Sequence, residues 1–283
     1  MTATPPIVDQ AAYWNGAAGR KWTDFQDSLD VTFVPVLDEL LHRADIRPGE
    51  RVIDIGCGCG ASAIALAERV GSNGHVTALD ISAEMLARAR QRTPAALEID
   101  YLQADAASHP FAKEAADALV SRFGVMFFDD PVQAFTNLAA ALRRGGRLAF
   151  VCWRAPRENP YFIAAVQEAY KHVPRLPEMK PEDPGPFAFA SEERVRAILT
   201  EAGFGALALA PFDAELDMAA GRGLDQALTV ATSIGPASRA LEGQPQDKVE
   251  AARADIRTML ARHQQGARVL LKAAMWMVTA VKP

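Results

Sequence analysis

The stretch Val52-Ile53-Asp54-Ile55-Gly56-Cys57-Gly58-Cys59-Gly60-Ala61-Ser62 decides the fold. Its β-branched opening, Val52, Ile53 and Ile55, reads as a buried strand. Glycines at alternate positions, Gly56, Gly58 and Gly60, end that strand, and the run from Ala61 to Glu68 reads as the helix that follows. A strand, a tight glycine turn and a helix N-terminus in succession bring bare backbone N–H groups close to a ligand. Further on, His75-Val76-Thr77-Ala78-Leu79-Asp80 reads as a second strand ending in a carboxylate. Nucleotide-binding α/β folds hold the two ribose hydroxyls from that position, so the expected ligand carries a ribose.

The glycine spacing narrows the ligand. The dinucleotide fingerprint is G-x-G-x-x-G. Here Asp54-x-Gly56-x-Gly58-x-Gly60 is one residue shorter and has an acidic residue ahead of it, which disfavours an NAD(P)-dependent oxidoreductase. Strands expected at 52–55, 76–79, 99–103, 118–122 and 147–153 alternate with helices, the pattern of a parallel sheet covered on both faces. Asp130 and Pro131 open one of these helices and Gly145-Gly146 are expected to stop it. Before the sheet, 11–43 reads as helical and rich in aromatics. After it, 154–190 is proline-rich around one short helix and reads as a cap over the site. Two last strands, 206–217 and 269–281, are separated by helices.

Composition sets outer bounds. The 283 residues carry a net charge of −5, which argues against a generally basic nucleic-acid-binding surface. No apolar run is long enough for a membrane span, and 1–10 has neither a basic nor an apolar leader region, so a cytoplasmic protein is expected. The three cysteines, Cys57, Cys59 and Cys152, suggest neither a disulfide framework nor a zinc site. Asp129-Asp130 lacks a third ligand, so no metal is expected.

With these residues in view, the segment 51–153 resembles the class I S-adenosylmethionine-dependent methyltransferases, and most of all the small-molecule group that includes the ubiquinone/menaquinone C-methyltransferases. The resemblance rests on the D-x-G-x-G-x-G turn, Ala78-Leu79-Asp80 with the helix after it, Gln103-Ala104-Asp105-Ala106, and the block from Ala118 to Trp153. It departs from the family in having Arg143-Arg144-Gly145-Gly146 where Lys-Pro-Gly-Gly is usual, and His109-Pro110-Phe111 where Leu-Pro-Phe is common. It implies an α/β fold: a Rossmann-like, doubly wound, seven-stranded, mostly parallel sheet with helices on both faces and a cap insertion after the fifth strand. The segments would be a helical lid (1–50), a cofactor-binding core (51–153), the cap (154–190) and a C-terminal part of the sheet with a helical insertion (191–283).

The resemblance also implies S-adenosyl-L-methionine as cofactor and S-adenosyl-L-homocysteine as product. Gly56, Cys57, Gly58 and Gly60 would pass beside the methionine moiety, with Asp54 near its ammonium. Asp80 would take the ribose hydroxyls and Ile81 the adenine face. Asp105 and Ala106 would reach the adenine edge, and Ser121 would offer its backbone carbonyl there. Tyr13, Trp22, Trp153 and Phe187 are candidates for the pocket of a small, apolar or aromatic acceptor, with Trp14 beside them as a helix-packing residue. Arg122 and His109 are the candidates for a catalytic role. Arg122, ending the fourth strand, could pair with the cofactor carboxylate or an acidic substrate, with a structural ion pair as the alternative. His109 could act as a base, with a solvent-facing loop position as the alternative. Methyl transfer to C or O is expected; a non-catalytic S-adenosylmethionine-binding regulator is the alternative, and a homodimer stays open. Asn159-Pro160-Tyr161-Phe162 follows the wrong strand for an amino-group methyltransferase motif and carries no functional expectation.

Overall fold

The structure is a computed structural model, and it describes residues 9–283. The expectation about a leader at 1–10 therefore lies almost wholly outside the described residues. Three helices come first: α1 (Gln10–Trp14), α2 (Ala17–Asp24) and α3 (Gln26–Ala44). The alternating core follows as β1 (Arg51–Ile55), α4 (Ala61–Val70), β2 (His75–Asp80), α5 (Ala83–Arg92), β3 (Ile99–Gln103), β4 (Ala116–Arg122), α6 (Pro131–Ala141) and β5 (Leu142–Trp153). The chain closes with α7 (Pro160–Ala169), α8 (Glu192–Glu201), β6 (Gly205–Asp217), α9 (Leu224–Ser233), α10 (Pro236–Leu241), α11 (Gln246–Ala261), β7 (Gln264–Gln265) and β8 (Arg268–Val281).

The strands form one sheet in the order β3-β2-β1-β4-β5-β8-β6, with the short β7 paired to β8 off this path. Pairings among β1 to β5 are parallel, and β8 runs antiparallel to both β5 and β6. The doubly wound, mostly parallel sheet expected from the sequence is therefore present. Its central strand explains its own composition: Val52 to Ile55 are all buried, because helices cover both faces. From β1 the chain winds outward to β2 and β3, then returns to place β4 on the other side. The carboxyl ends of β1 and β4 thus flank the switch point where such sheets bind ligands.

Four details differ from expectation. The helical 11–43 segment is broken into three, at Asn15–Gly16 and at Phe25. Helix α6 stops at Ala141 without help from the glycines; Leu142 already pairs with Ala116, and 143–146 bulge out before Arg147 rejoins β4 opposite Ala118. Helix α10 was not anticipated, being only one and a half turns long and too short to show a period. The cap is built from two segments of chain. Helix α7 packs on α10 and α11, and together with α9 and the start of β8 they bury a second apolar cluster, including Val166, Ala169, Ala227, Ala252, Ile256 and Leu260.

Strand length places that cap. The β5–β8 ladder ends at Trp153 opposite Met275, yet β6 and β8 stay paired out to Asp217 opposite Leu270. This two-stranded ribbon rises past the carboxyl edge of the sheet and carries the cap helices over it. Among the described residues no helix is long and apolar enough to cross a membrane.

Candidate active site

The glycine turn is held by its own chain. Cys57 N–H donates to the Leu79 carbonyl (2.9 Å), Gly60 N–H to the Cys57 carbonyl (2.9 Å), and Gly58 N–H to Asp80 Oδ2 (2.7 Å). Gly56, Gly58 and Gly60 all have positive φ (66°, 55° and 87°). At Gly56 the requirement is also steric, since a Cβ there would lie 2.8 Å from the Cα of Gly124, on the turn that leaves β4. Ser121 ties the same two turns together: its hydroxyl donates to the Ile55 carbonyl (2.8 Å) and accepts from Gly124 N–H (3.1 Å). The expected bare N–H groups are thus absent at Cys57, Gly58 and Gly60. The turn instead offers a close backbone surface and, through Gly58, a fixed carboxylate.

That carboxylate is nearly enclosed. Asp80 accepts from Gly58 through Oδ2 and from Ser82 N–H through Oδ1 (2.8 Å), and it is 9% exposed. Burial raises its pKa, against the pull of those backbone donors. Each of its oxygens keeps a second lone pair, so two hydroxyls can still be accepted. Asp54 lies fully buried beneath the turn, with Oδ2 accepting from the Ser62 hydroxyl (2.7 Å) and Oδ1 without any partner. Burial pushes its pKa up to about 7, while Ser62 and Arg122 oppose the shift.

The N-terminal helices lie across this edge. Asn15 grips the loop after Asp80 from both ends of its amide, donating to the Ile81 carbonyl (3.0 Å) and accepting from Ala83 N–H (3.0 Å). One residue earlier, Trp14 meets Phe127 edge-on at 5.1 Å and Trp22 at 6.2 Å. Phe127 follows β4 and Ile81 follows β2, so α1 bridges the strand ends on either side of the glycine turn. Lys21 Nζ continues the strap to the cap through the Ser238 hydroxyl (2.8 Å). Sequence reading missed Asn15, since a lone asparagine at a helix end looks like an ordinary cap.

On the cap side stands an aromatic group. Phe123 stacks on Trp153 with ring centroids 4.5 Å apart and planes 4° from parallel, and Trp153 stacks in turn on Tyr161 at 6.1 Å. Phe33 of α3 faces Phe123, Trp153 and Tyr161 at 5.5–6.2 Å. Phe123 holds a positive φ of 65°, a strained conformation for an aromatic residue, at the first position beyond β4. Tyr161, Phe162 and Leu29 line a small cleft closed by Met218, Val230, Ile234 and Pro236 of the cap. Burial raises the Tyr161 pKa, so the phenol stays neutral.

The remaining candidates separate clearly. Trp153 is buried in the aromatic group, Phe187 reaches it through Phe162 (5.0 Å), and Trp22 and Tyr13 belong to the strap. Asp105 is exposed at the end of β3 and its Oδ1 accepts from Ala107 N–H (2.9 Å), which makes it a turn former; Ala106 beside it is buried. Ser121 is fully buried, and its hydroxyl acts structurally. His109 is corrected. It lines a groove with Arg51, His75 and Thr77, residues at the starts of β1 and β2, and therefore stands at the opposite end of the sheet from Asp54 and Asp80. No catalytic role follows for it. Asn159 is structural as well, accepting from Ala274 N–H (2.8 Å) and donating to the carbonyls of Arg154 and Ala155. Burial holds the Cys59 thiol up at about 11, outside the range of a useful nucleophile.

These residues suit S-adenosylmethionine better than a dinucleotide. A pyrophosphate calls for free N–H donors on the turn, and three of these are taken up internally. A ribose calls for a fixed carboxylate with lone pairs to spare, which Asp80 supplies. A cationic amino-acid portion is favoured by the buried Asp54, whose Oδ1 has no partner.

Comparison with known proteins agrees. Residues 53–150 match the family model described as a methyltransferase domain. The chain is 36% identical over 157 residues to the aklanonic acid methyltransferase DauC of Streptomyces sp. (strain C5), an alignment covering 52% of this chain and 71% of that one. It is 30% identical to the ubiquinone/menaquinone biosynthesis C-methyltransferase UbiE of Xanthomonas axonopodis pv. citri, covering 57% and 68%. Uncharacterized mycobacterial relatives, including one from Mycobacterium tuberculosis, are 34% identical over 46% of this chain, and the match spans about half (47%) of their length. Among solved structures, Haemonchus contortus phosphoethanolamine N-methyltransferase 2 in complex with S-adenosyl-L-methionine superposes with a TM-score of 0.55 at 18% identity, covering 98% of this chain and 59% of that one, a likeness of fold.

Proposed function

The chain belongs to the class I S-adenosylmethionine-dependent methyltransferases, and from that premise we propose that it transfers a methyl group by in-line displacement to C or O of a small, apolar or aromatic molecule. The observation that carries the acceptor class is the Phe123–Trp153–Tyr161 stack, which leads from the carboxyl end of β4 into the cap cleft. Flat apolar surfaces of this kind favour a flat apolar guest.

When bound, the cofactor supplies an electrophilic methyl on a sulfonium that leaves as a neutral thioether. The protein's part is alignment and the exclusion of water. Asp80 holds the ribose, with the Gly58 and Ser82 N–H groups fixing its plane. Ile81 and Ala106 would border the adenine. The strap formed by α1 and α2 would cover the cofactor, and Asn15 fastens it to the loop after β2. The cap, with α3, encloses the acceptor. No base is required for an acceptor that is already nucleophilic. A phenol or enol must first give up its proton, to water before the cleft closes, and the neutral Tyr161 hydroxyl can then stabilise the resulting oxyanion by donating a hydrogen bond to it.

Calorimetric titration with S-adenosylmethionine, S-adenosylhomocysteine and NADH tests the cofactor. The expected result is micromolar affinity for the first two and none for NADH, lowered about tenfold or more by Asp80→Ala through loss of charge-assisted hydrogen bonds. Mass spectrometry of phenols, naphthols and quinols incubated with protein and S-adenosylmethionine then tests transfer. Binding of NADH alone refutes the cofactor; tight S-adenosylhomocysteine binding with no product from any aromatic acceptor refutes the acceptor class.

A further inference from the structure

Arg122 ends β4 between the two half-sites. Its guanidinium carbon lies 5.7 Å from the centre of the Phe33 ring, the ring that also faces Tyr161 and Trp153. Its Nη1 is fully shielded from solvent and has no hydrogen-bond partner. A shielded guanidinium N–H left unpaired is costly, and such groups usually meet a carboxylate in bidentate fashion.

The carboxylates nearby do not take that place. Asp30 is engaged by Arg92 and Gln26. Asp54 accepts from Ser62, and neither acid makes a hydrogen bond to Arg122, although both lie near enough to favour its charge. Burial works against that charge, and Arg92 opposes it as a second cation. Phe33, across whose ring Arg122 lies, belongs to the acceptor side. The unmatched cation therefore lies against the aromatic group, whose member Tyr161 lines the cleft.

Resting on the methyltransferase reading, we propose that Arg122 is the specificity-determining anchor for a carboxylate on the acceptor, so that the preferred substrates are aromatic acids rather than neutral arenes. The carboxylate would meet Arg122 while the ring lies against the Phe33–Trp153–Tyr161 group. No covalent step is assigned to Arg122; it positions and selects.

The test uses the full chain preloaded with S-adenosylhomocysteine, which first reports whether the cofactor reading holds. Two matched probe pairs are then titrated: salicylate against phenol, and 1-hydroxy-2-naphthoate against 1-naphthol. The proposal expects the wild type to bind the acid of at least one pair roughly tenfold or more tightly than its neutral partner, the range of a charge-assisted hydrogen bond. Arg122→Met is expected to erase that preference, leaving phenol or naphthol binding within about twofold of wild type, and Arg122→Lys to retain part of it. Because Nη1 has no partner to lose, the unliganded Arg122→Met protein is expected to melt no lower than wild type. The proposal is overturned if the wild type favours neither acid, or if Arg122→Met keeps the preference. It is overturned equally if Arg122→Met weakens S-adenosylhomocysteine but not 5′-methylthioadenosine, which lacks the amino-acid carboxylate. That last outcome assigns the cation to the cofactor. A variant that unfolds counts against it too, since that identifies Arg122 as a counter-ion of Asp30 and Asp54.

Discussion

Replacing Asp54 by Asn should make the protein more resistant to rising pH, by an amount that the burial of this carboxylate sets. Asp54 is fully buried with one oxygen unpaired, and its pKa moves from 3.8 up to about 7. The direction follows from proton counting. Below about pH 4 the carboxyl is protonated in both the folded and the unfolded chain and has no pH-dependent effect. Between roughly pH 4 and 7 the unfolded chain releases the proton while the folded chain keeps it, so stability falls as pH rises, and the loss levels off above about pH 7. A shift of roughly three units at 1.36 kcal/mol each gives a loss of about 4 kcal/mol across the window. Asparagine cannot ionise, and it can keep the hydrogen bond from Ser62 through its amide oxygen. Its amide nitrogen then occupies the place of the unpaired oxygen, a cost that does not vary with pH. Urea unfolding of wild type and Asp54→Asn at steps from pH 4 to 8 isolates the effect, because other titrating groups cancel in the difference. The stability of the variant relative to wild type should climb by up to about 4 kcal/mol and then plateau. A flat difference, or one that falls with pH, refutes the argument that desolvation dominates at Asp54.

Three further changes probe the rest of the site. Gly56→Ala places a methyl 2.8 Å from the Cα of Gly124 at a φ of 66°. It should cost more than about 2 kcal/mol in urea unfolding and abolish S-adenosylhomocysteine binding, whereas an unchanged midpoint would show that the two turns can part. Asn15→Ala removes both hydrogen bonds that fasten the strap. Stopped-flow fluorescence of Trp14 and Trp22 should show S-adenosylhomocysteine leaving roughly 3- to 30-fold faster, from about 1 kcal/mol per bond at most, with global stability nearly unchanged. Tyr161→Phe keeps the stack on Trp153 and removes only the hydroxyl. It should leave the melting temperature within about a degree or two and raise KM for a phenolic acceptor several-fold; an unchanged KM removes Tyr161 from the acceptor site.

The cofactor half of this site was legible because backbone geometry dictates its residues. A turn that brings Gly56 against Gly124 admits no side chain, and a carboxylate at the end of β2 can fix Gly58 only if it stands where Asp80 does. Such requirements leave a spacing in the sequence. What that spacing did not reveal is the direction of the N–H groups. The turn was expected to present bare donors, and at Cys57, Gly58 and Gly60 it satisfies them internally. His109 shows the same limit at longer range. It lies only a few residues beyond Asp105, yet the connection from β3 to β4 carries it down to the starts of β1 and β2. Nothing in a linear pattern marks that descent, whereas the pairing of β4 beside β1 makes it unavoidable.

The acceptor half was harder to read because its parts come from distant stretches and meet on one helix. Along α3, Gln26, Leu29, Asp30 and Phe33 fall at spacings that share a single face. Two of them, Leu29 and Phe33, are apolar and look toward the cap cleft and its aromatic group. The other two are polar: Asp30 is paired with Arg92, which also reaches the Cys59 carbonyl of the glycine turn (3.3 Å), and Gln26 is paired with Asp30. A search for apolar periodicity discounts such a face, since half of it is hydrophilic. Its mixed character is what its position demands. The same turns of helix must satisfy polar groups beside the glycine turn and present Leu29 to the cleft and Phe33 to the aromatic group, so the spacing of these two surroundings follows the rise of α3 between Asp30 and Phe33. Arg122 crosses that short interval, with Asp30 on one side and the Phe33 ring on the other.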